Sequence, residues 1–487
     1  MNTVINKNLQ KNIDYINFRF KDCDDVVKRF FCAGKNVNKK IFMVYTDNIV
    51  DGATIEDFIM TNLMTRYDEE NSLEELMEKA IAIGELEKEY DFEKLFDAVL
   101  LGDTILLMDG ADYGLVASTK GFPGRGVPEA ATEVVVQGPK DAFAEIGSKN
   151  IVLIRRRIRD TRLKVKRMRI GSRTKTDIAI LYMEDIVRNE ILEKVQKSLE
   201  NIKTDGIFDS GMLEQLIEKN KFSPFPQLQL TERPDKAAAS IMEGRIAVVV
   251  DNTPFAMLFP TTLNVFFQAA EDYYERWEIM SFIRLIRFIA AFIAISLPGL
   301  YIALTSYHPN LLPTTLAVKI AASRQDIPFP AVVEVLIMEI AFELLREAGI
   351  RLPSPVSSTI GIVGGIIIGQ SAVEAGIMGP VVVIVGALTG ICTFVIPNSP
   401  FVAGIRLSKY IVIGLSAALG IFGFWTGLLF VLIHLASINS FGIPYLFPFC
   451  CAEITGYSDL KDSIFRLPLF MMKKSPVFAR KQSQKRS

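Results

Sequence analysis

Charge is spread so unevenly along this chain that its distribution alone divides the sequence. Of 109 Lys, Arg, Asp and Glu residues, 86 lie in residues 1–287, 12 in residues 288–440 and 11 in residues 441–487. The first stretch is 30% charged and the middle one 8%, against roughly 25% in ordinary soluble domains. An all-soluble protein is excluded. A transporter with short tails is excluded too, because nearly 60% of the 487 residues precede the first long apolar run. The expected fold class is α+β with an α-helical membrane part. A large cytoplasmic N-terminal α/β region of two subdomains (1–150 and 151–280) precedes a bundle of four to five membrane helices (281–455) and a basic cytoplasmic tail (456–487).

Within the charged part, residues 41–45 (IFMVY) read as a buried strand, and residues 54–64 and 72–83 carry helical apolar spacing. TILLM at 104–108, then Asp109-Gly110 and residues 114–118, read as a hairpin. Residues 151–175 read as strands, with clean alternation from Leu163 to Ile170. A strand over 177–182, helices over 183–202 and 212–218 and a strand over 245–250 follow. That strand–helix–strand order predicts a mixed or parallel sheet.

Four apolar segments match the roughly 20 residues that cross about 30 Å of hydrocarbon: 288–307, 356–373, 377–397 and 410–436. Pro298-Gly299 should kink or interrupt the first. Residues 331–349 are apolar but charged, with Glu339, Glu343, Arg346 and Glu347 on one helical face. A charge at lipid depth costs ~2.5–3.5 kcal/mol, so this face must meet water or protein, whether the helix lies in the interface, re-enters or crosses. Arg284 and Arg287, and seven basic residues with no acidic one from Arg466 onward, place both ends in the cytoplasm. Arg406 and Lys409 object, since four crossings leave them outside.

Chemistry-bearing motifs are few. No nucleotide-binding or metalloprotease signature occurs, and five scattered cysteines with two histidines (His308, His434) predict no metal, no cofactor and no catalytic residue. The N-terminus lacks the apolar core of a signal peptide. GFPGRG at 121–126 reads as a turn. The eleven basic residues in 155–175 lack interleaved aromatics. A solvated strand face or contact with lipid headgroups accounts for them better than nucleic acid. In TIGIVGGIIIGQ (359–370), Gly361, Gly365 and Gly369 recur every four residues beside Gly364, a spacing that lets helices approach closely. Packing within one subunit, oligomerisation, and a narrow pore lined also by Ser357, Ser358, Thr359 and Gln370 all remain open.

Several long strings resemble one known family: NIVLIRRRIRD, FPQLQLTERPDKAAASIMEGRIAVVVDNTP, EDYYERW, LPGLYIALTSYHPNLLP, IPFPAVVEVLIMEIAFELLREAGIRLP and TIGIVGGIIIGQSAVEAGI. In that order they are similar to the A subunit of GerA-type spore germination receptors. The resemblance implies a non-enzymatic membrane protein of the inner spore membrane. Its partners would be a transporter-like, nutrient-binding B subunit, a C-type lipoprotein, membrane lipid and further A subunits, forming or gating an ion conduit. A non-conducting scaffold that relays nutrient binding to another channel is the alternative. It further implies that Glu232, Arg233, Pro234, Asp235, Glu243 and Arg245 fix the soluble domain or couple it to the membrane part. The plainer reading is a buried network joining Glu232, Arg233, Glu243 and Arg245. Pro298 and Gly299 become a hinge, the segment ending at Gln370 a pore wall, and Glu339 and Glu343 ion-attracting groups.

Overall fold

A computed structural model describes residues 4–33, 39–65, 81–121, 128–351, 369–451, 458–471 and 476–480. The chain divides into two compact units. One comprises Met1–Lys219, Leu228–Pro260 and Lys473–Ser487, the other Asn220–Gln227 and Thr261–Met472.

The first unit holds two five-stranded sheets. One contains β1 (Val26–Ala33), β2 (Lys39–Thr46), β3 (Leu86–Glu89), β4 (Thr104–Met108) and β5 (Gly114–Ala117) in the order β1-β2-β4-β5-β3. Helices α1 (Leu9–Arg19) and α2 (Phe92–Leu101) cover one face through Ile16, Leu95, Phe96 and Val99. Ile55, Ile59 and Leu63 cover the other. With both faces covered, β4 is buried throughout, which is why TILLM does not alternate. The β4–β5 hairpin forms as expected, with Ile105 opposite Val116. The 54–64 helix forms too, within a helical stretch from Gly52 to Thr65 that includes a π segment, Ile55–Met60. The expected 72–83 helix lies almost wholly outside the described residues.

The second sheet contains β6 (Leu163–Ile170), β7 (Thr176–Met183), β8 (Gln229–Thr231), β9 (Ile246–Val250) and β10 (Ala256–Phe259) in the order β6-β7-β9-β10-β8. Its helices are α3 (Gly147–Arg155), α4 (Asn189–Glu200), α5 (Ser210–Ile217) and α6 (Pro234–Met242). Two expectations need correction. Residues 151–155 are helix rather than strand, because a short fully buried apolar run carries no period that separates the two. The sheet is antiparallel, not mixed or parallel. The α6 crossover does join two strands running the same way, β8 and β9, but β10 inserts between them, giving a split β-α-β unit.

The helical unit contains α7 (Trp277–Ile302, continued by a π turn Ala303–Tyr307), α8 (Thr314–Ser323), α9 (Ala331–Arg351), α10 (Pro380–Val395) and α11 (Ser399–Ser437). Among the described residues, Trp277–Tyr307 and Ser399–Ser437 are long and apolar enough to cross a membrane; α10 is apolar but shorter. α7 is not interrupted at Pro298. Gly299 lies where any Cβ would stand 2.9 Å from both Ser416 Oγ and Val412 Cγ1, so it marks a close helix contact.

Nor is α11 a single rod. Gly420 has φ 62° and ψ −134°, a conformation only glycine adopts readily. A Cβ at Gly423 would stand 1.8 Å from the Leu415 carbonyl oxygen, and one at Gly427 3.5 Å from Val412 Cβ. Phe401 and Leu435 share one core cluster, though a straight helix would set them about 51 Å apart at 1.5 Å per residue. The chain therefore doubles back at Gly420. The segment expected to cross once over 410–436 is two antiparallel arms, residues 399–419 and 421–437. Apolar composition on both sides of Gly420 hid the reversal.

Packing fixes the helix directions. α7 runs with the first arm of α11, since Gly299 meets Val412 and Tyr307 meets Gly420. After the second arm the chain returns to the start of α7, where Leu263 N donates to Tyr445 O at 2.7 Å and Thr261 N to Ser440 Oγ at 3.1 Å.

In a chain freed of its five cysteines, Val412→Cys with Gly427→Cys should form an intramolecular disulfide under mild oxidation, seen by gel mobility and peptide mass. A straight α11 would hold the two about 22 Å apart and give none. In α5, burial, with Glu218 and Asp209 nearby, pushes Glu214 up to about 8. The folded chain keeps this proton to about pH 8, while the unfolded chain releases it near 4.5, the ordinary value of a glutamate. Its stabilising contribution is complete below the unfolded value and is lost as pH rises through the folded one. Glu214→Gln should flatten the fall in melting temperature of the full chain between about pH 5 and about pH 8.

Candidate functional site

The most demanding group of side chains sits along α9, an apolar helix interrupted by acids and two arginines. The structure brings these residues to cations rather than to water. Glu334 is fully buried, accepting from Arg324 at 3.0 Å and from the Gly379 backbone N–H, just before α10, at 2.9 Å. Glu339 pairs with Lys409, both side chains about 95% buried. Glu343 pairs with Arg406, and Arg346 lies 3.6 Å from Glu343 and donates to Thr393 Oγ1 at 2.8 Å. Glu339 and Glu343, one turn apart, thus meet Lys409 and Arg406 on the first arm of α11 in reversed order. α9 consequently runs opposite to that arm. It runs with α10, where a Cβ at Gly386 would stand 2.9 Å from Met338 Cγ and 3.0 Å from Phe342.

Such pairs are held by necessity. Removing one partner of a buried pair typically costs 3–5 kcal/mol, because the remaining charge stays desolvated. One oxygen of Glu339 and Nε of Arg406 make no hydrogen bond among the described residues. The stripe was expected to face water or protein; Glu339 is enclosed by protein, whereas the Glu343 side chain is 44% exposed and Glu347 is exposed. Arg406 and Lys409 were read as loop charges. They lie inside a helix and are bound to carboxylates, so they carry little weight as topology signals.

Of the glycine-faced segment, Ser357, Ser358, Thr359, Gly361, Gly364 and Gly365 lie outside the described residues, as does most of the 121–126 turn. Gly369 packs toward α10, where its Cβ would meet Val383 Cγ1 at 3.3 Å. Gln370 is exposed and donates to Glu374 Oε1 at 2.8 Å.

In the first unit, the expected network of Glu232, Arg233, Glu243 and Arg245 resolves into two separate centres. Glu232 accepts from the backbone N–H groups of Thr132 and Glu133 at 2.5 and 2.7 Å, while Thr231 donates to the Glu133 carboxylate. Arg233 binds Asp235 at 2.7 Å and the Pro139 carbonyl at 2.7 Å, and Pro234 opens α6. Arg245 instead donates to Pro260 O at 2.8 Å and Gln229 Oε1 at 2.7 Å, beneath the Phe478 ring. Facing neutral oxygens in a buried site, its pKa is drawn down to about 10 by burial. Glu243 is the C-cap residue of α6, and its charge acts on Arg245.

Sequence reasoning missed the pair that ties the two sheets together. Arg155, completely buried, forks onto Asp25 with two 2.8 Å bonds and donates to the Leu163 carbonyl at 3.0 Å. Beside it the 22–24 segment runs along β6, with Asp24 N donating to Val165 O at 2.9 Å. Four more residues of the basic run are paired: Arg157 with Asp141, Arg162 with Asp160 and Asp185, Lys164 with Glu184, and Arg169 with Asp177. Acids from several segments thus lie against much of this face.

Comparison with known proteins finds matches along the length of the chain. The family model described as Bacillus/Clostridium GerA spore germination protein matches residues 14–478. The chain is 39% identical over 485 residues to Spore germination protein KA of Bacillus subtilis (strain 168), covering 99% of this chain and 89% of that protein. It is 37% identical over 471 residues to Spore germination protein A1 of the same organism, covering 95% and 94% respectively. It is 36% identical over 440 residues to Spore germination protein GerLA of Bacillus cereus, covering 90% and 88%. Among solved structures, it is similar to the N-terminal domain of the A subunit of the Bacillus megaterium spore germinant receptor GerK3. That likeness has 32% identity and a TM-score of 0.42, covering 52% of this chain and 95% of that one. A match spanning the sheet unit and the helical unit alike means that this chain belongs to the GerA family of spore germination proteins.

Proposed function

We propose that this chain is the A subunit of a nutrient receptor of bacterial spores. It would sit in the inner spore membrane with residues 1–150, 151–280 and the 456–487 tail on the cytoplasmic side and residues 281–455 in the lipid. The observation that carries this reading is the family match over residues 14–478, which takes in both the sheets and the apolar helices. The partners are a transporter-like B subunit that binds the nutrient, a C-type lipoprotein and further copies of this chain. No catalytic role is assigned.

The helix directions support both ends lying on one side. α7, α9, α10 and the two arms of α11 reverse direction wherever a described connection joins consecutive helices, and the reversal at Gly420 supplies the return pass. We further propose that the subunits assemble around the glycine-faced segment, with Gln370 near its end, as the wall of an ion conduit. Glu339 and Glu343, neutralised by Lys409 and Arg406, then brace that wall through α9 and α10 in place of attracting ions directly.

The test is ion flux through liposomes holding this subunit with its B and C partners and nutrient. Gly365→Asp should change conductance or ion preference, and Gly365→Ala should change conductance less. Intact assembly with no flux in any variant would favour a scaffold that relays nutrient binding to another channel.

A further inference from the structure

α7 is longer than its apolar part. With its π turn it covers 31 residues, roughly 46 Å at 1.5 Å per residue, where about 20 residues cross the hydrocarbon. Its charges end at Arg287, which leaves residues 277–287 at headgroup depth.

A buried ionic node fixes what packs at that depth. Asp272 accepts from Arg284 and Arg287, both at 2.8 Å. Asp462, far along the chain beyond α11, accepts from Arg284 at 2.6 Å and from the Tyr273 hydroxyl at 2.7 Å. Its backbone carbonyl accepts from Gln268 at 2.7 Å. Arg466 N donates to Ser281 Oγ at 3.0 Å, and Ser281 Oγ donates back to the Arg466 carbonyl at 2.9 Å. Asp462 is thereby held one helical turn from the start of the apolar span, and Arg466 about two turns from it.

The side chains between and after these clamps point outward. Phe465 is 55% exposed, Phe470 71% and Met471 50%. Other aromatics are exposed at the same end: Phe282 at 63%, and Phe222 at 98% beside Ser223, whose hydroxyl bonds His434 Nε2 at 2.9 Å near the end of α11. Exposed apolar side chains collected at one end of a helical bundle are the kind of face that an in-plane segment buries at the headgroup–acyl boundary.

We propose that residues 458–471 form an in-plane membrane anchor, with Phe465, Phe470 and Met471 seated at the boundary between lipid headgroups and acyl chains. The segment is not part of a free basic tail. Its apolar side chains continue the lipid-facing surface of α7, and the Arg284–Asp462 pair sets their depth. This rests on the membrane reading above.

A single tryptophan tests it. In the full chain with both native tryptophans replaced by Phe, Phe470→Trp is reconstituted into phosphatidylcholine vesicles brominated either near the headgroup or near the chain ends. A second chain carries Leu429→Trp, an exposed position midway along the second arm of α11, as the depth reference. The Phe470→Trp chain should lose more emission to the shallow bromines than to the deep ones and resist aqueous acrylamide, while Leu429→Trp should show the reverse preference for bromine depth. Quenching of Phe470→Trp by acrylamide alone would put the segment in water and overturn the proposal. Quenching by neither agent would mean protein covers it and would overturn it equally. If Leu429→Trp is not quenched by bromine at all, the membrane reading itself fails.

Discussion

A charge in an apolar interior must find its opposite, and that requirement organises the helical unit. α9 carries acids along a helix otherwise suited to lipid. Only a partner helix presenting cations at matching intervals can accept them, and the first arm of α11 does so with Arg406 and Lys409. Once this pairing is set, α9 is antiparallel to that arm. Gly386 then lets α10 close against Met338 and Phe342, and Glu334 caps the start of α10. The same logic recurs near the start of α7, where Asp272 and Asp462 hold Arg284 and Arg287, and in the first unit, where Asp25 holds Arg155 between two sheets.

How much of this the sequence disclosed depends on whether a signal is local. Alternation from Leu163 to Ile170 and the TILLM hairpin were readable because a strand's period and a turn's chemistry lie within a few residues. The acid stripe on α9 was readable as a surface needing cover. Its partners were not, since Glu339 and Lys409 are 70 positions apart and only the fold joins them. The reversal at Gly420 was invisible for a related reason. Hydropathy registers how apolar a stretch is and not whether it turns, and one glycine among apolar residues looks like packing. The antiparallel second sheet was misread because chain order reports that α6 joins β8 to β9 but not that β10 comes between them.

The basic run near β6 shows how a count of charge misleads when its partners are scattered. Asp141, Asp160, Asp177, Glu184 and Asp185 come from several segments and pair with four of its residues in place. At Gly299, Gly423 and Gly427 any Cβ would crowd a neighbouring segment, so these glycines let the helices approach closely.

The most direct test of this account is a double-mutant cycle on Glu339 and Lys409, read as thermal unfolding of the full chain in detergent and as recovery of assembled protein. Glu339→Gln and Lys409→Met should each lower stability by about 3–5 kcal/mol, since each strands a buried charge. Removing both together, or exchanging them as Glu339→Lys with Lys409→Glu, should recover most of the loss. Single substitutions without effect, or losses that simply add in the double variant, would show that the pair does not hold α9 in place.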